Sequence, residues 1–194
     1  MKPKLLVFTY FFLLLTFTSC DSNNVIRTYN DEFRGGTKLL MNQYVRPLDQ
    51  RHSPVQMAIV TYEKEFLNPK PDAFNMYFFF ARATTSFDVG RKGFLKIGDT
   101  IFDVEAKSMQ TELRTGVNDT TTTTTDSTGT HTIASSETVQ WLNDKFKIAF
   151  TPNMVMALKN STLMTIRFYS GPTPVTFVVG DYNYTKLREL LERK

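Results

Sequence analysis

From Val25 to Val179 the apolar residues of this chain recur mostly at every second position. A period of two is what a half-buried strand requires, because successive side chains point to opposite faces of a sheet. Such stretches fall at Val25 to Tyr29, Lys38 to Val45, Val55 to Tyr62 and Phe74 to Ala83. Phe94 to Ile97 and Ile101 to Ala106 flank Gly98-Asp99, the clearest hairpin signal, and Met109 to Val117 continues the sheet. Val139 to Leu142 and Phe146 to Phe150 flank Asn143-Asp144, which reads as a turn. Leu163 to Tyr169 and Pro174 to Val179, around Ser170-Gly171-Pro172, form a further hairpin. Consecutive rings at Tyr77, Phe78, Phe79 and Phe80 point to both faces, so Phe74 to Ala83 is expected to be a central strand covered on both sides.

Two segments change period. Thr151 offers an N-cap and Pro152 a first helical residue for a short, largely buried helix through Lys159. Tyr184, Leu187, Leu190 and Leu191 form one apolar stripe on a C-terminal helix from about Asn183 to Arg193. The expected fold is α+β. It is mainly antiparallel, a sandwich or strongly curved sheet of eight or nine strands, with two short helices, the last at the C-terminus.

Residues 118–132 interrupt the alternation with nine threonines and no apolar side chain. A run that buries no face reads as a mobile loop between two strands.

Composition narrows the function. The chain has 194 residues, one Cys and two His. That excludes a disulfide framework, a Cys/His zinc site and an iron–sulfur cluster, and no metal or other cofactor is expected. The formal net charge is +4, and losing Lys2 and Lys4 with a leader lowers it to +2. No clustered basic face of the kind nucleic acid requires is present.

The N-terminus carries that leader. Lys2 and Lys4 precede an apolar stretch from Leu5 to Phe17, which is followed by the small residues Thr18 and Ser19 and then Cys20. Thirteen helical residues span about 20 Å, short of the ~30 Å hydrocarbon core of a bilayer. Phe17, Thr18, Ser19 and Cys20 resemble the lipobox of bacterial lipoproteins, with Phe17 standing where Leu, Val or Ile is commoner. The resemblance implies that residues 1–19 are a signal peptide, that Cys20 is lipidated and becomes the first mature residue, and that 20–24 form a polar lead. Residues 25–194 then make one domain, lipid-anchored in the cell envelope of a Gram-negative bacterium.

The mature chain is similar to a loose group of small secreted bacterial proteins of unassigned function. The likeness rests on Asp31, Phe33 and Gly35, the Gly98-Asp99 turn, the apolar helix from Met154 to Leu158, Arg167-Phe168-Tyr169 and the leucine-rich terminal helix. It implies the fold and carries no activity.

No catalytic constellation is legible. His52 and His131 read as surface residues, lacking the nucleophile and orienting acid of a triad. Gly90-Arg91-Lys92-Gly93 lacks the spacing of a phosphate loop. Asp103 and Glu105, near Asp99, alternate with Phe102 and Val104 and form the solvated face of a strand. Asp119 and Asp126 lack a calcium-binding register.

Asp119-Thr120-Thr121 and Asp126-Ser127-Thr128 resemble short acceptors that some Gram-negative envelope systems O-glycosylate, which makes Thr120 and Ser127 candidate modification positions. Asp99-Thr100-Ile101 also fits the triplet, within a turn. Tyr169 and Tyr182, beside the turns at Gly171 and Gly180, are candidates for a binding edge.

The expected function is that of a non-enzymatic, lipid-anchored protein-interaction or assembly module with an envelope protein partner. The alternatives are a glycan- or small-ligand-binding lipoprotein of a transport system and, third, a carboxylate-based hydrolase. A binder requires a concave face with two or more exposed aromatics. A hydrolase requires two acids converging in one pocket, one of them desolvated.

Overall fold

A computed structural model of the protein describes residues 23–31, 36–66, 72–127 and 129–193. The N-terminal apolar run, Cys20, Phe33 and Gly35 lie outside the described residues. Among the described residues, ten strands and two helices follow one another: β1 (Ile26–Asp31), β2 (Gly36–Val45), β3 (Val55–Phe66), β4 (Ala73–Ala83), β5 (Lys92–Ile97), β6 (Thr100–Glu105), β7 (Lys107–Asp126), β8 (Gly129–Ala149), α1 (Pro152–Lys159), β9 (Met164–Ser170), β10 (Thr173–Val179) and α2 (Asp181–Glu192). The chain is mainly antiparallel β with two helices, the last at the C-terminus, as the period-two pattern implies.

The strands form two sheets, one of six in the order β1-β2-β3-β4-β8-β7 and one of four in the order β10-β9-β5-β6. Their inner faces meet through aromatic side chains. Phe78 of β4 lies edge-on to Phe168 of β9 at 5.7 Å between centroids and tilted against Phe177 of β10 at 6.2 Å. Phe146 of β8 bridges Phe80 at 5.2 Å and Phe168 at 6.0 Å. The rest of the larger sheet's inner face is covered by α2, which contacts β2 and β3. The expected stripe of Tyr184, Leu187, Leu190 and Leu191 is the side it buries. Tyr184 donates its hydroxyl hydrogen to Leu158 O at 2.8 Å, tying α2 to α1. Lys64 Nζ donates to Leu191 O at 3.0 Å, satisfying a carbonyl that the end of α2 leaves open.

Gly93 shows how closely β5 and β9 approach. A Cβ there would stand 2.4 Å from Arg167 O and 2.7 Å from the Phe168 ring.

Four expectations change. Residues 118–132 are not a loop, because β7 and β8 run through the threonine tract and turn only at its tip. Strand pairing needs backbone hydrogen bonds and β-branched side chains, not a buried face, and threonine supplies that preference. Asn143-Asp144 is not a turn but lies inside β8. The Asp144 carboxylate is accommodated there because Arg82 and Thr111 donate to it at 2.6 and 2.7 Å. The central strand β4 is fully covered on one side only. Met76 and Phe78 are buried inward, whereas Tyr77 and Phe79 are half-buried outward, with Lys147 and Lys145 ammonium groups 5.3 and 4.9 Å from their ring centres. Finally, α1 is amphipathic, burying Met154 and Leu158 and exposing Met156.

Candidate functional site: open sheet faces and a projecting ribbon

Alternation along β9 sends Ile166 and Phe168 into the core and Thr165, Arg167 and Tyr169 to the outside. On β5, Leu95 and Ile97 turn inward and Phe94 and Lys96 outward. These outward side chains, with Ile101 of β6, line a shallow hollow of about 310 Å³. Phe94 is 40% exposed, Ile101 62% and Tyr169 37%. Phe94 pairs with Arg167 across the strands, and Arg167 Nε donates to Thr176 Oγ1 at 2.9 Å, which holds the guanidinium along the sheet. One side of the four-stranded sheet therefore presents two aromatic rings, an isoleucine and two cations. Tyr169 belongs to this face.

Tyr182 does not join it. It stands in the first turn of α2, exposed, with the Lys186 ammonium 5.9 Å from its ring centre.

A second hollow, of about 380 Å³, lies on the outer face of the six-stranded sheet. Met57, Ile59, Phe79 and Ala81 form its apolar floor, and Glu112 and Arg114 of β7 rise at its side. Sequence reasoning missed it. Its only signal was the odd-numbered rings of the aromatic run, which a central strand buried on both sides would have hidden.

The third feature is the projection of β7 and β8. Pairing of β8 with β4 ends at Trp141 opposite Ala83, while β7 and β8 stay paired from there to Asp126 opposite Gly129. Residues 115–126 and 129–140 thus form a two-stranded ribbon, which at ~3.3 Å per residue extends about 40 Å. At its root the Trp141 ring lies against Gly116, where a Cβ would stand 3.0 Å from two ring carbons. Farther out the described side chains are mostly exposed, Val117 and Ile133 among them. Thr125 and Thr130 hydroxyls face each other at 3.3 Å near the tip. Thr120 sits mid-ribbon opposite Ser135, and Ser127 is in the tip turn, both exposed. Thr128 lies outside the described residues, as does the side chain of His131.

The remaining candidates stand apart. His52 Nδ1 is 2.9 Å from Asp49 Oδ2 on the surface, and this contact holds the Asp49 carboxyl below its ordinary value. Ser53 Oγ accepts from Val55 N at 3.2 Å. Asp99, Asp103 and Glu105 are exposed. Asp144 is the buried carboxylate among the described residues, and Arg82 and Thr111 occupy it. Glu63 accepts from Tyr77 Oη at 2.9 Å and Asn75 Nδ2 at 3.1 Å. Burial first, then this bond and the Glu63 charge, push the Tyr77 phenol up to about 12. Among the described residues no three His, Cys, Asp or Glu side chains are placed to hold a metal ion, and no helix is long and apolar enough to cross a membrane.

Comparison with known protein families, curated proteins and solved structures finds no match to this chain.

Proposed function

We propose that the protein is a non-enzymatic, lipid-anchored module of the Gram-negative cell envelope that engages a protein partner through the β7–β8 ribbon. The observation that carries this reading is the ribbon itself. Beyond Trp141 it pairs with no other strand among the described residues, and along its two edges no described strand neighbours the backbone N–H and C=O groups. Isolated two-stranded hairpins are marginal in water, and free edges are templates for strand addition by another chain. Acylation of Cys20 supplies the anchor, since two or more chains at ~0.8 kcal/mol per buried CH₂ hold a protein stably in a bilayer. Thr120 and Ser127 are the ribbon positions we assign to O-glycosylation, where an attached sugar would stand in solvent.

The test is cross-linked co-purification from native membranes with a C-terminal tag. The full-length chain is compared with one in which residues 117–138 are replaced by an Asn-Gly turn. The reading expects one near-stoichiometric protein with the intact chain and its loss with the shortened one. Equal recovery with both chains would refute a role for the ribbon. Cys20→Ala is expected to remove the protein from the membrane fraction.

A glycan or small ligand is the second reading. Phe94 and Tyr169 favour it, because two exposed rings line one hollow beside Arg167 and Lys96. Stacking of a sugar on those rings would be abolished by Phe94→Ala with Tyr169→Ala, read by a glycan-array screen.

A further inference from the structure

Lys145 and Lys147 of β8 pair across the strands with Phe79 and Tyr77 of β4, on the outer face of the six-stranded sheet. On the other flank Lys107 of β7 stands directly opposite Lys147, and Gln110 opposite Lys145. Residues paired in this way share a face, so three lysines crowd one stretch of β7 and β8. Among the described residues no carboxylate pairs with any of the three. The carboxylates of this face are engaged elsewhere. Glu112 accepts from Gln110 and Arg114, and Glu63 accepts from Tyr77 and Asn75. Lys38 lies 3.7 Å from Glu63 and 3.2 Å from Glu65. The β7–β8 side of the face is left with an excess of positive charge. Like charges placed directly opposite destabilise a strand pair, and an anion lying over Lys107 and Lys147 would remove that repulsion.

The hollow floored by Met57, Ile59, Phe79 and Ala81 adjoins these lysines, and Lys145 is part of its lining. Gln56 and Asn143 add side-chain amides to it. The Lys145 and Lys147 ammonium groups are held against the rings of β4, at 4.9 and 5.3 Å from the ring centres. We propose that this face binds an acidic polysaccharide, a chain of carboxylate-bearing sugars running along β8 from the hollow to Lys147 and Lys107. Such a ligand uses every part of the surface. The C–H face of a sugar ring lies on the apolar floor, its hydroxyls meet the amides and its carboxylate meets a lysine. Lys147 follows Lys145 by two residues, about 6.6 Å along the strand, so a second carboxylate farther along the ligand has its own partner. A small inorganic anion would leave the floor bare. An acidic peptide gains most at a strand edge, where its backbone can pair, whereas β4 and β8 have strand neighbours on both sides here. This site is independent of the ribbon contact and of a lipid on Cys20.

Calorimetric titration of the purified full-length chain tests the site. The probes are a galacturonic acid trimer, the neutral galactose trimer and a glutamate tripeptide of the same charge. Trp141 is the chain's one tryptophan, and its Nε1 donates to Asn143 Oδ1 at 3.0 Å, so its emission reports on the rim of the hollow. The expected result is that the acidic trimer binds, more weakly as salt is raised, and changes the Trp141 emission. Lys145→Gln with Lys147→Gln should weaken that binding about tenfold, and Lys107→Gln alone about threefold. Lys92→Gln with Lys96→Gln, on the other sheet, should leave it unchanged. No binding of the acidic trimer to the intact chain, or equal binding of the neutral one, overturns the proposal. Equal binding of the glutamate tripeptide replaces the saccharide with an acidic protein segment. Loss with the Lys92 and Lys96 variant instead moves the site to the hollow beside Phe94 and overturns this one.

Discussion

Arg82 and Asp144 meet across neighbouring strands β4 and β8, with Nε 2.6 Å from Oδ2 and both side chains under 5% exposed. Arg82 also reaches Asp88 Oδ1 at 2.6 Å and Ser86 O at 3.2 Å, so the guanidinium ties the end of the larger sheet to the segment leading into β5. The pair permits a carboxylate inside β8 and thereby removes the turn that Asn143-Asp144 suggests.

Truncating one partner leaves the other charge buried and incompletely matched. Asp144→Leu is expected to cost about 3–5 kcal/mol, and Arg82→Met a similar amount. The double variant Arg82→Met with Asp144→Leu should recover most of that loss, since no charge is then stranded. Urea unfolding of the four chains of this cycle is the measurement. A double variant as unstable as the sum of the two singles would remove the pairing as the reason for their burial.

Gly93 has no space for a side chain because the β9 backbone occupies it. Gly93→Ala is expected to lower stability by about 1–3 kcal/mol through a forced separation of β5 from β9. Gly90→Ala is the comparison, since its Cβ would make an ordinary 3.4 Å contact with Tyr169 O. A denaturation midpoint for Gly93→Ala no lower than that of Gly90→Ala would contradict the packing.

Alkaline titration should find Tyr77 late. Its folded pKa is raised to about 12 from an ordinary value of 10.0. The folded state therefore retains a proton that the unfolded chain gives up. The contribution to stability is full below pH 10 and is lost as pH rises through about 12. Absorbance near 295 nm, with Tyr77→Phe as the subtraction, should show this late step. Glu63→Gln should move it down by removing the adjacent negative charge. A Tyr77 that ionises near 10 would show that neither burial nor Glu63 restrains it.

Hydrogen exchange should divide the molecule at Trp141. Amides of 117–126 and 130–138 are expected to exchange by local opening, much faster than those of β3, β4 and the Lys145–Ala149 part of β8. Replacing 117–138 by a two-residue turn should leave the unfolding free energy of the domain, read by urea titration, within about 0.5 kcal/mol of the intact chain. Protection in the ribbon equal to that of β4 would mean it is stabilised by more than its own pairing.

Much of the architecture was legible because side-chain alternation and helical spacing are local. Thr151 and Pro152 mark the start of α1, where the Thr151 hydroxyl accepts from Met154 N at 3.3 Å. Gly98-Asp99 turns β5 into β6, with Gly98 at φ 57°. The candidate site was less legible. Tyr169 was identified from its position near a turn and Arg167 shares its side of β9 by alternation, but Phe94, their neighbour in the hollow, comes from strand pairing between β5 and β9 that no local pattern contains. The hydrogen bonds that join Asn24, Gln43 and Asn183 were equally hidden, since they span as many as 159 positions of sequence.

The sequence by itself determined which residues face inward along most of the shorter strands and where the two helices lie, because those follow from the periods 2 and 3.6 and from capping chemistry. It also placed the single cysteine after an apolar N-terminal run. Only tertiary structure decided that a polar pair could continue β8, that threonines without a buried face would pair as strands, and which outward rings share a surface. Those outcomes depend on long-range partners: Arg82 for Asp144, β8 for β7, and β5 for β9. A hydrogen bond or ion pair between distant segments offsets a cost that local propensity counts in full.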